Sequence, residues 1–295
     1  MFGLNALRRR IFGPGRGDSV TLREIRGLRR PRLEALARAR AVPVALPDGT
    51  LLCRALGRYK LRVSALDREF SPHVALDGFW EIWLTRLLAR RVARGAVCVD
   101  VGAQAGYFTV LMADLAGPEG RVHAVEPLPS NVALLTSNVA LNGLSARVSV
   151  HAVALGRDDG GEIAVRPAYP GSMNAARVPD GTPDAPRVPT TTLDRLLGDL
   201  PRLDVVKIDA EGAEHAIIEG ADTLLARHRP LLVAEFNAAR PGDARAMLDR
   251  LARIYPALAT LEPGGTLRPA TIEALLGQRV GLDHLVVAMP DPRSV

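Results

Sequence analysis

Four carboxylates stand at or near the ends of apolar runs in this chain. Asp100 closes the run from Ala96, Glu126 follows 121–125, Asp209 follows 203–208 and Glu235 follows 231–234. Runs of that length, separated by segments of helical length, read as buried strands of a parallel sheet. In an open sheet of this kind ligands bind at the carboxyl edge. Acids that meet there raise one another's pKa, which suits a carboxylate that takes a proton from a hydroxyl. Asp209 also opens a dense stretch, Asp209-Ala-Glu211-Gly-Ala-Glu214-His215. Asp209, Glu211 and Glu214 are the catalytic candidates; His215 and Glu235 are candidates for holding an acceptor. Two other roles stay open. Glu211 and Glu214 also suit the positive end of a helix, and Asp209, Glu235 and Asn237 are hard oxygen donors of the kind that hold Mg²⁺.

A second constellation sits around the first strand. Asp100-Val-Gly102-Ala103-Gln104-Ala-Gly106-Tyr107 reads as a strand end, a glycine turn and a helix start. Glycines let a backbone come close to a ligand, and a helix start offers free N–H groups. The spacing is D-x-G-x-x-x-G, not the G-x-G-x-x-G of a dinucleotide site. A carboxylate beside the ligand suits an ammonium or a sugar hydroxyl better than a pyrophosphate. This points to S-adenosylmethionine (SAM) rather than NAD, against the plainer reading of an ordinary strand-to-helix turn. Glu126, 26 residues after Asp100, is placed to accept from ribose hydroxyls, and Pro127 ends its strand.

The elements that position these groups follow from periodicity. Strands are expected at 97–101, 121–125, 147–153, 203–208, 231–235 and 283–288; helices at 107–116, 129–142, 213–226 and 242–254. Such alternation implies a parallel sheet with helices on both faces. Residues 156–189 interrupt it. This Gly- and Pro-rich stretch, with a strand at 162–166, reads as a substrate-side loop or lid. Before the sheet, 21–40 has helical spacing broken at Pro31. Apolar runs flank Pro47-Asp-Gly-Thr50 as in a hairpin, 58–63 adds a third strand, and 79–94 is an amphipathic helix carrying Trp80 and Trp83. The chain divides into a basic arm and cap, 1–95, and a domain over 96–290.

Composition bounds the function. An apolar content of 47% supports a sizeable core, and no apolar run is long enough to span a bilayer. The start lacks a secretory pattern, and Cys53 and Cys98 form no disulfide framework, so a reducing cytoplasm is expected. Residues 1–40 hold eleven Arg against Asp18, Glu24 and Glu34. This arm either meets phosphate or an acidic membrane surface, or is a solvated face. Nucleic acid is not expected as a partner, since aromatics are only 4% and no RNA-reading motif is present. There is no Walker loop, zinc spacing or nucleophile elbow.

The chain resembles the FkbM-like SAM-dependent methyltransferases. The likeness is carried by DVGAQAGYFT (100–109), VHAVEPLPSN (122–131), TTLDRL (191–196), VVKIDAEGAEHAIIEGA (205–221), LLVAEFN (231–237) and GLDHLVV (281–287). It implies an α/β, Rossmann-like class I methyltransferase fold: a mostly parallel, doubly wound, seven-stranded sheet behind a helical and hairpin cap. It implies a SAM site made of Asp100, Gly102, Ala103, Gln104, Gly106, Tyr107, Glu126, Pro127 and Asn131. Gln104 stands where the family usually has Asn. Glu81 matches an acid that the family often carries ahead of its first strand, at the acceptor pocket. The implied reaction is O-methylation of a hydroxyl on a sugar, glycolipid, polysaccharide or polyketide-type small molecule. An RNA-modifying enzyme using the basic arm and a SAM-binding protein without turnover are the alternatives.

Overall fold

Thr21 accepts a hydrogen bond from the Glu24 N–H, and the Glu24 carboxylate accepts one from the Thr21 N–H. This reciprocal cap starts the first helix, α1 (Leu22–Gly27). The computed structural model describes residues 19–240, 242–278 and 281–291; the first part of the basic arm lies outside them. Pro31 sits in the first turn of α2 (Arg30–Arg38), where its missing N–H costs nothing. The expected break in 21–40 is therefore a helix start. Strands β1 (Val44–Ala45), β2 (Thr50–Ala55) and β3 (Tyr59–Ser64) form an antiparallel sheet. Helices α3 (Phe70–Leu76) and α4 (Ile82–Arg91) complete the cap. The helix expected over 79–94 is shorter, because Gly78 and Glu81 both take left-handed φ and hold the chain out of helix until Ile82.

The large sheet and its helices begin with β4 (Val97–Val101), α5 (Tyr107–Ala116), β5 (Arg121–Val125), α6 (Pro129–Leu141) and β6 (Val148–His151). The interruption that follows is itself a sheet. It comprises β7 (Ala154–Leu155), β8 (Glu162–Pro167), β9 (Ala175–Val178) and β10 (Arg187–Thr191), in the order β7-β10-β8-β9. The expected loop is thus built on strands; its Gly residues and its Pro residues other than Pro189 lie at strand ends, turns or loops, and Pro189 sits inside β10 opposite Glu162. After α7 (Leu193–Leu197) come β11 (Val205–Ile208), α8 (Glu214–Glu219), α9 (Asp222–His228), β12 (Leu231–Phe236) and α10 (Ala244–Ile254). One helix was expected over 213–226; the chain divides it at Gly220, where a Cβ would stand 2.1 Å from the Gly156 carbonyl oxygen. The chain ends its described part with β13 (Ala257–Leu261), β14 (Leu267–Pro269), α11 (Ile272–Leu276) and β15 (His284–Met289).

The large sheet runs β14-β13-β15-β12-β11-β4-β5-β6. Strands β12, β11, β4, β5 and β6 are parallel, and β15 lies antiparallel between β12 and β13. Seven of these strands are the ones a class I methyltransferase sheet needs, and β14 is an eighth, a short antiparallel edge strand. The order reverses between β4 and β11, so a crevice opens at the carboxyl ends of those two strands. One sheet face packs on α5, α6 and the cap: Ile25, Leu33, Leu61, Leu84, Leu88, Leu111 and Met112 share one buried cluster. The other face packs on α7 to α11 through Leu193, Ile217, Leu224, Leu248 and Leu251.

Candidate active site

The crevice is a cavity of about 1070 Å³. Its floor is the glycine turn after β4. Gly102 has φ +69, and a Cβ there would stand 1.7 Å from the Asp209 carbonyl oxygen, so the ends of β4 and β11 meet only because residue 102 has no side chain. Three N–H groups of this turn, ahead of the helix that starts at Tyr107, are spent within the chain. Those of Gly102 and Ala103 donate to the Val125 carbonyl at 3.0 and 3.1 Å. That of Gln104 donates to Glu126 Oε2 at 2.9 Å. Gln104 itself takes φ +49, a conformation that Asn tolerates better than Gln. Gly102, Ala103, Gln104 and Tyr107 line the cavity; Gly106 does not, and lies against Leu135.

Glu126 lines the cavity at the end of β5, and Pro127 follows it there. Its Oε1 accepts from the Leu128 N–H at 2.9 Å and from Asn131 Nδ2 at 3.1 Å. Three of its roughly four lone-pair positions are thus filled by the chain, leaving one on Oε2 for a ligand hydroxyl. Burial raises its pKa and these donors oppose the rise. Asn131 stands behind Glu126, and its amide also donates to the Met173 carbonyl at 2.7 Å. Asp100 is fully buried beneath the turn. It accepts from Thr109 Oγ1 at 2.5 Å and lies 3.4 Å from Lys207 Nζ. The structure therefore puts Asp100 under the floor of the cavity rather than on its surface.

The acids of β11 and β12 separate into distinct settings. Asp209, Glu211 and Glu235 line the cavity; Glu214 and His215 do not. The Glu214 carboxylate turns back onto its own loop, accepting from the N–H groups of Ala210 at 2.7 Å and Gly212 at 2.9 Å. It caps a turn. Asp209 lies 3.5 Å from Lys207 Nζ. Arg240 gathers the rest: it pairs with Glu235, with Glu211 at 3.1 Å and with Asp283 at 3.1 Å. Burial and the Asp209 charge push Glu211 up to about 7 and raise Glu235 further, with Arg240 opposing both. Asn237 is turned away. Its Nδ2 donates to Asp283 and its Oδ1 accepts from the Ala239 N–H, so it does not join Asp209 and Glu235 in a ligand set. Among the described residues no group of three His, Cys, Asp or Glu is arranged to hold a metal.

The opposite wall comes from the cap. Phe70 and Trp80 meet edge to face at 5.6 Å, and Glu81 lies beside them. A strap at 168–174, between β8 and β9, closes a third side. Glu69 holds it by accepting from the Tyr169 hydroxyl, from Ser172 Oγ at 3.1 Å and from Asn174 Nδ2 at 3.2 Å. Gln104 Nε2 donates to Asn174 Oδ1 at 3.1 Å, so the strap is tied to the glycine turn as well.

The family model for the methyltransferase FkbM domain matches residues 100–255, more than half of the chain. The chain belongs to the FkbM methyltransferase domain family. A "Methyltransferase 1" of Beauveria bassiana is 27% identical over 146 residues, 42% of this chain and 57% of that protein. A protein-L-isoaspartate O-methyltransferase of Methanococcoides burtonii is 34% identical over 61 residues, 21% of this chain and 30% of that one. The chain thus spans little more than half, or less, of the curated relatives it matches. A solved FkbM methyltransferase from Methylobacillus flagellatus superposes with a TM-score of 0.44 at 18% identity, over 66% of this chain and 44% of that one.

The cavity fits the cofactor that the family uses. It has the volume of a small-molecule site, a carboxylate with one position left on β5, and a floor open to close approach at Gly102. Several residues of the site carried no signal in the sequence reading. Asp283, Phe70 and Asn174 line the cavity from loops or from the cap, and Arg240 stands behind Glu211, Glu235 and Asp283. Lys207 did carry one: a lysine in the middle of an otherwise apolar strand must find anions when that strand is buried.

Proposed function

We propose that the protein transfers a methyl group from SAM to a hydroxyl oxygen of a sugar, glycolipid, polysaccharide or polyketide-type small molecule. The observation that supports this reading best is the meeting of Glu126, Asp209 and Glu235, at the ends of three parallel strands, in one cavity beside the glycine turn. SAM supplies an electrophilic methyl on a sulfonium. The chain's own residues then bind, orient and exclude water, which suffices for much of an in-line transfer. Glu126 accepts from the ribose, and the turn 102–104 backs the cofactor. Asp209 and Glu211 lie on the β11 side, where acceptor hydroxyls are held. Trp80 and Phe70 offer an apolar wall of the kind that sugars and polyketides stack on, and the strap at 168–174 keeps water out. A basic arm that rests on an acidic membrane would suit a glycolipid acceptor. The test is transfer of tritium from methyl-labelled SAM to a panel of sugars, glycolipids and polyketide-type alcohols and phenols. Label in an ether product supports the reading. SAM binding with no transfer to any hydroxyl, or label in RNA alone, overturns it.

A further inference from the structure

Glu81 is the cavity residue whose surroundings support it least. Its backbone is left-handed, φ 34° and ψ 67°, a conformation that strains a residue with a side chain. Its Oε2 is sealed from solvent and has no hydrogen-bond partner among the described residues. Glu126, Glu211, Glu214 and Glu235 all have partners. The conformation is fixed from the α4 side. The Thr85 N–H donates to the Glu81 carbonyl at 2.9 Å, and Thr85 Oγ1 donates to the Trp80 carbonyl at 3.0 Å. Thr85 Oγ1 also shares a 3.0 Å hydrogen bond with the Tyr107 hydroxyl. A strained backbone and an unpartnered carboxyl at the same residue, on the wall of a cavity, fit a group kept for the reaction and not for stability. The groups that face it are Asp209, Lys207 and Tyr107. Burial first, and then the Asp209 charge, push its pKa up to about 8, with Lys207 opposing.

We propose that Glu81 is the proton acceptor of the reaction, losing its own proton when the cationic cofactor binds and then taking the proton of the acceptor's hydroxyl. The inference rests on the SAM-dependent reading above. A positive charge brought into the cavity favours the carboxylate, just as the Asp209 charge disfavours it. Glu81 then receives the hydroxyl proton while the bond from the acceptor oxygen to the methyl carbon forms. The carbon–sulfur bond breaks with its electron pair left on sulfur. A cation and a carboxylate become a neutral thioether and a neutral acid, so charge balances. Asp209 already has Lys207 as a partner at 3.5 Å, whereas Glu81 Oε2 has none among the described residues.

The experiment needs no acceptor. Calorimetric titration of SAM and of S-adenosylhomocysteine at pH 7, in two buffers of different ionisation enthalpy, counts protons released on binding. The wild type should release roughly half a proton or more per SAM beyond any release with the neutral homologue. Glu81→Gln should bind both ligands and erase that difference. As a check that needs no variant, the infrared difference spectrum of the wild type with SAM against S-adenosylhomocysteine should show a protonated carboxyl band lost and a carboxylate band gained. A difference in release that survives Glu81→Gln, or no difference in the wild type by either method, overturns the proposal while leaving SAM binding intact. Absence of SAM binding altogether overturns the underlying reading as well.

Discussion

Lys207 Nζ lies 3.4 Å from Asp100 Oδ1, across the joint where β11 and β4 pair residue against residue, and both side chains are buried. The ammonium also donates to the carbonyls of Val101 at 3.3 Å and Gly102 at 3.0 Å, and rests 5.5 Å from the centre of the Phe108 ring. One cation thus ties the floor of the cavity to two strands. Removing it leaves Asp100 as a buried, uncompensated charge. Lys207→Met should lower the unfolding free energy by about 3–5 kcal/mol. Adding Asp100→Asn to that chain should recover part of the loss, because the stranded charge is gone. Urea unfolding of the three variants checks this; a Lys207→Met loss below 1 kcal/mol would remove the ion pair from the account.

Gly102 and Gly106 look equivalent in the sequence and are not equivalent in the structure. A Cβ at Gly102 meets a backbone oxygen at 1.7 Å, whereas one at Gly106 meets the end of the Leu135 side chain at 2.6 Å. Both have positive φ. Backbone cannot move aside, but a leucine methyl can turn. Gly102→Ala should therefore cost about 3–5 kcal/mol or prevent folding, and Gly106→Ala about 1–3 kcal/mol. Thermal melting ranks them; equal losses would contradict the close approach of Asp209.

The sheet was legible because buried parallel strands are short apolar runs, and the acids at their ends stood out against those runs. The places of Asp209, Glu235 and Glu126 on one edge followed from that alone. What could not be read was which way an acid turns. Asp100 and Glu214 carry the same signal as their neighbours. One is paired beneath the floor and the other caps its own loop, because each found donors close in sequence or across the sheet. β13 and β14 were missed because antiparallel additions at a sheet edge break the strand–helix alternation. Arg240 and the strap that Glu69 holds depend on long-range closure, which periodicity does not encode.

Glu126 holds three donors of its own chain besides any ligand. Glu126→Ala should therefore weaken SAM affinity by about 1–3 kcal/mol and also lower thermal stability, since Gln104, Leu128 and Asn131 lose their acceptor. Calorimetry and melting together test this. An affinity loss without a stability loss would mean that the turn is held elsewhere.

Glu214→Gln separates a cap from a catalytic acid. Glu214 Oε1 accepts from the Ala210 N–H at 2.7 Å and the Gly212 N–H at 3.2 Å, and Oε2 accepts from the Gly212 N–H at 2.9 Å. An amide puts an NH₂ in place of one oxygen, so the charge and the shorter Gly212 bond are lost. The expected effect is a stability loss of about 1–3 kcal/mol. Unchanged melting would return Glu214 to the list of groups free to act on an acceptor.

The dependence of stability on pH should show two opposing sets of groups. His123 and His151 lie on adjacent strands with ring nitrogens 3.2 Å apart. Burial, then the neighbouring imidazole, lowers His123 from its ordinary 6.5 to about 4, and burial lowers His151. Between pH 4 and 6.5 the unfolded chain binds protons that the folded pair refuses, so the pair's contribution is present above 6.5 and is lost as pH falls. Glu81 and Glu211 have the opposite sign. Their folded values, about 8 and about 7, lie above the ordinary 4.5, so their contribution is full below 4.5 and is lost as pH rises through 7 and 8. Glu235, raised to about 9, acts with these acids, so from pH 4.5 to 6.5 the imidazoles offset the acids only in part; above 6.5 only the acids act. The ligand-free protein should therefore lose stability less steeply from 4.5 to 6.5 than from 6.5 to 8. His123→Gln should fall more steeply than the wild type from pH 4.5 to 6.5, because part of the offset is removed, and should run parallel to it above 6.5. Urea midpoints at half-unit pH steps would show this. If the two curves stay parallel from 4.5 to 6.5, the imidazole pair is not held neutral by the fold.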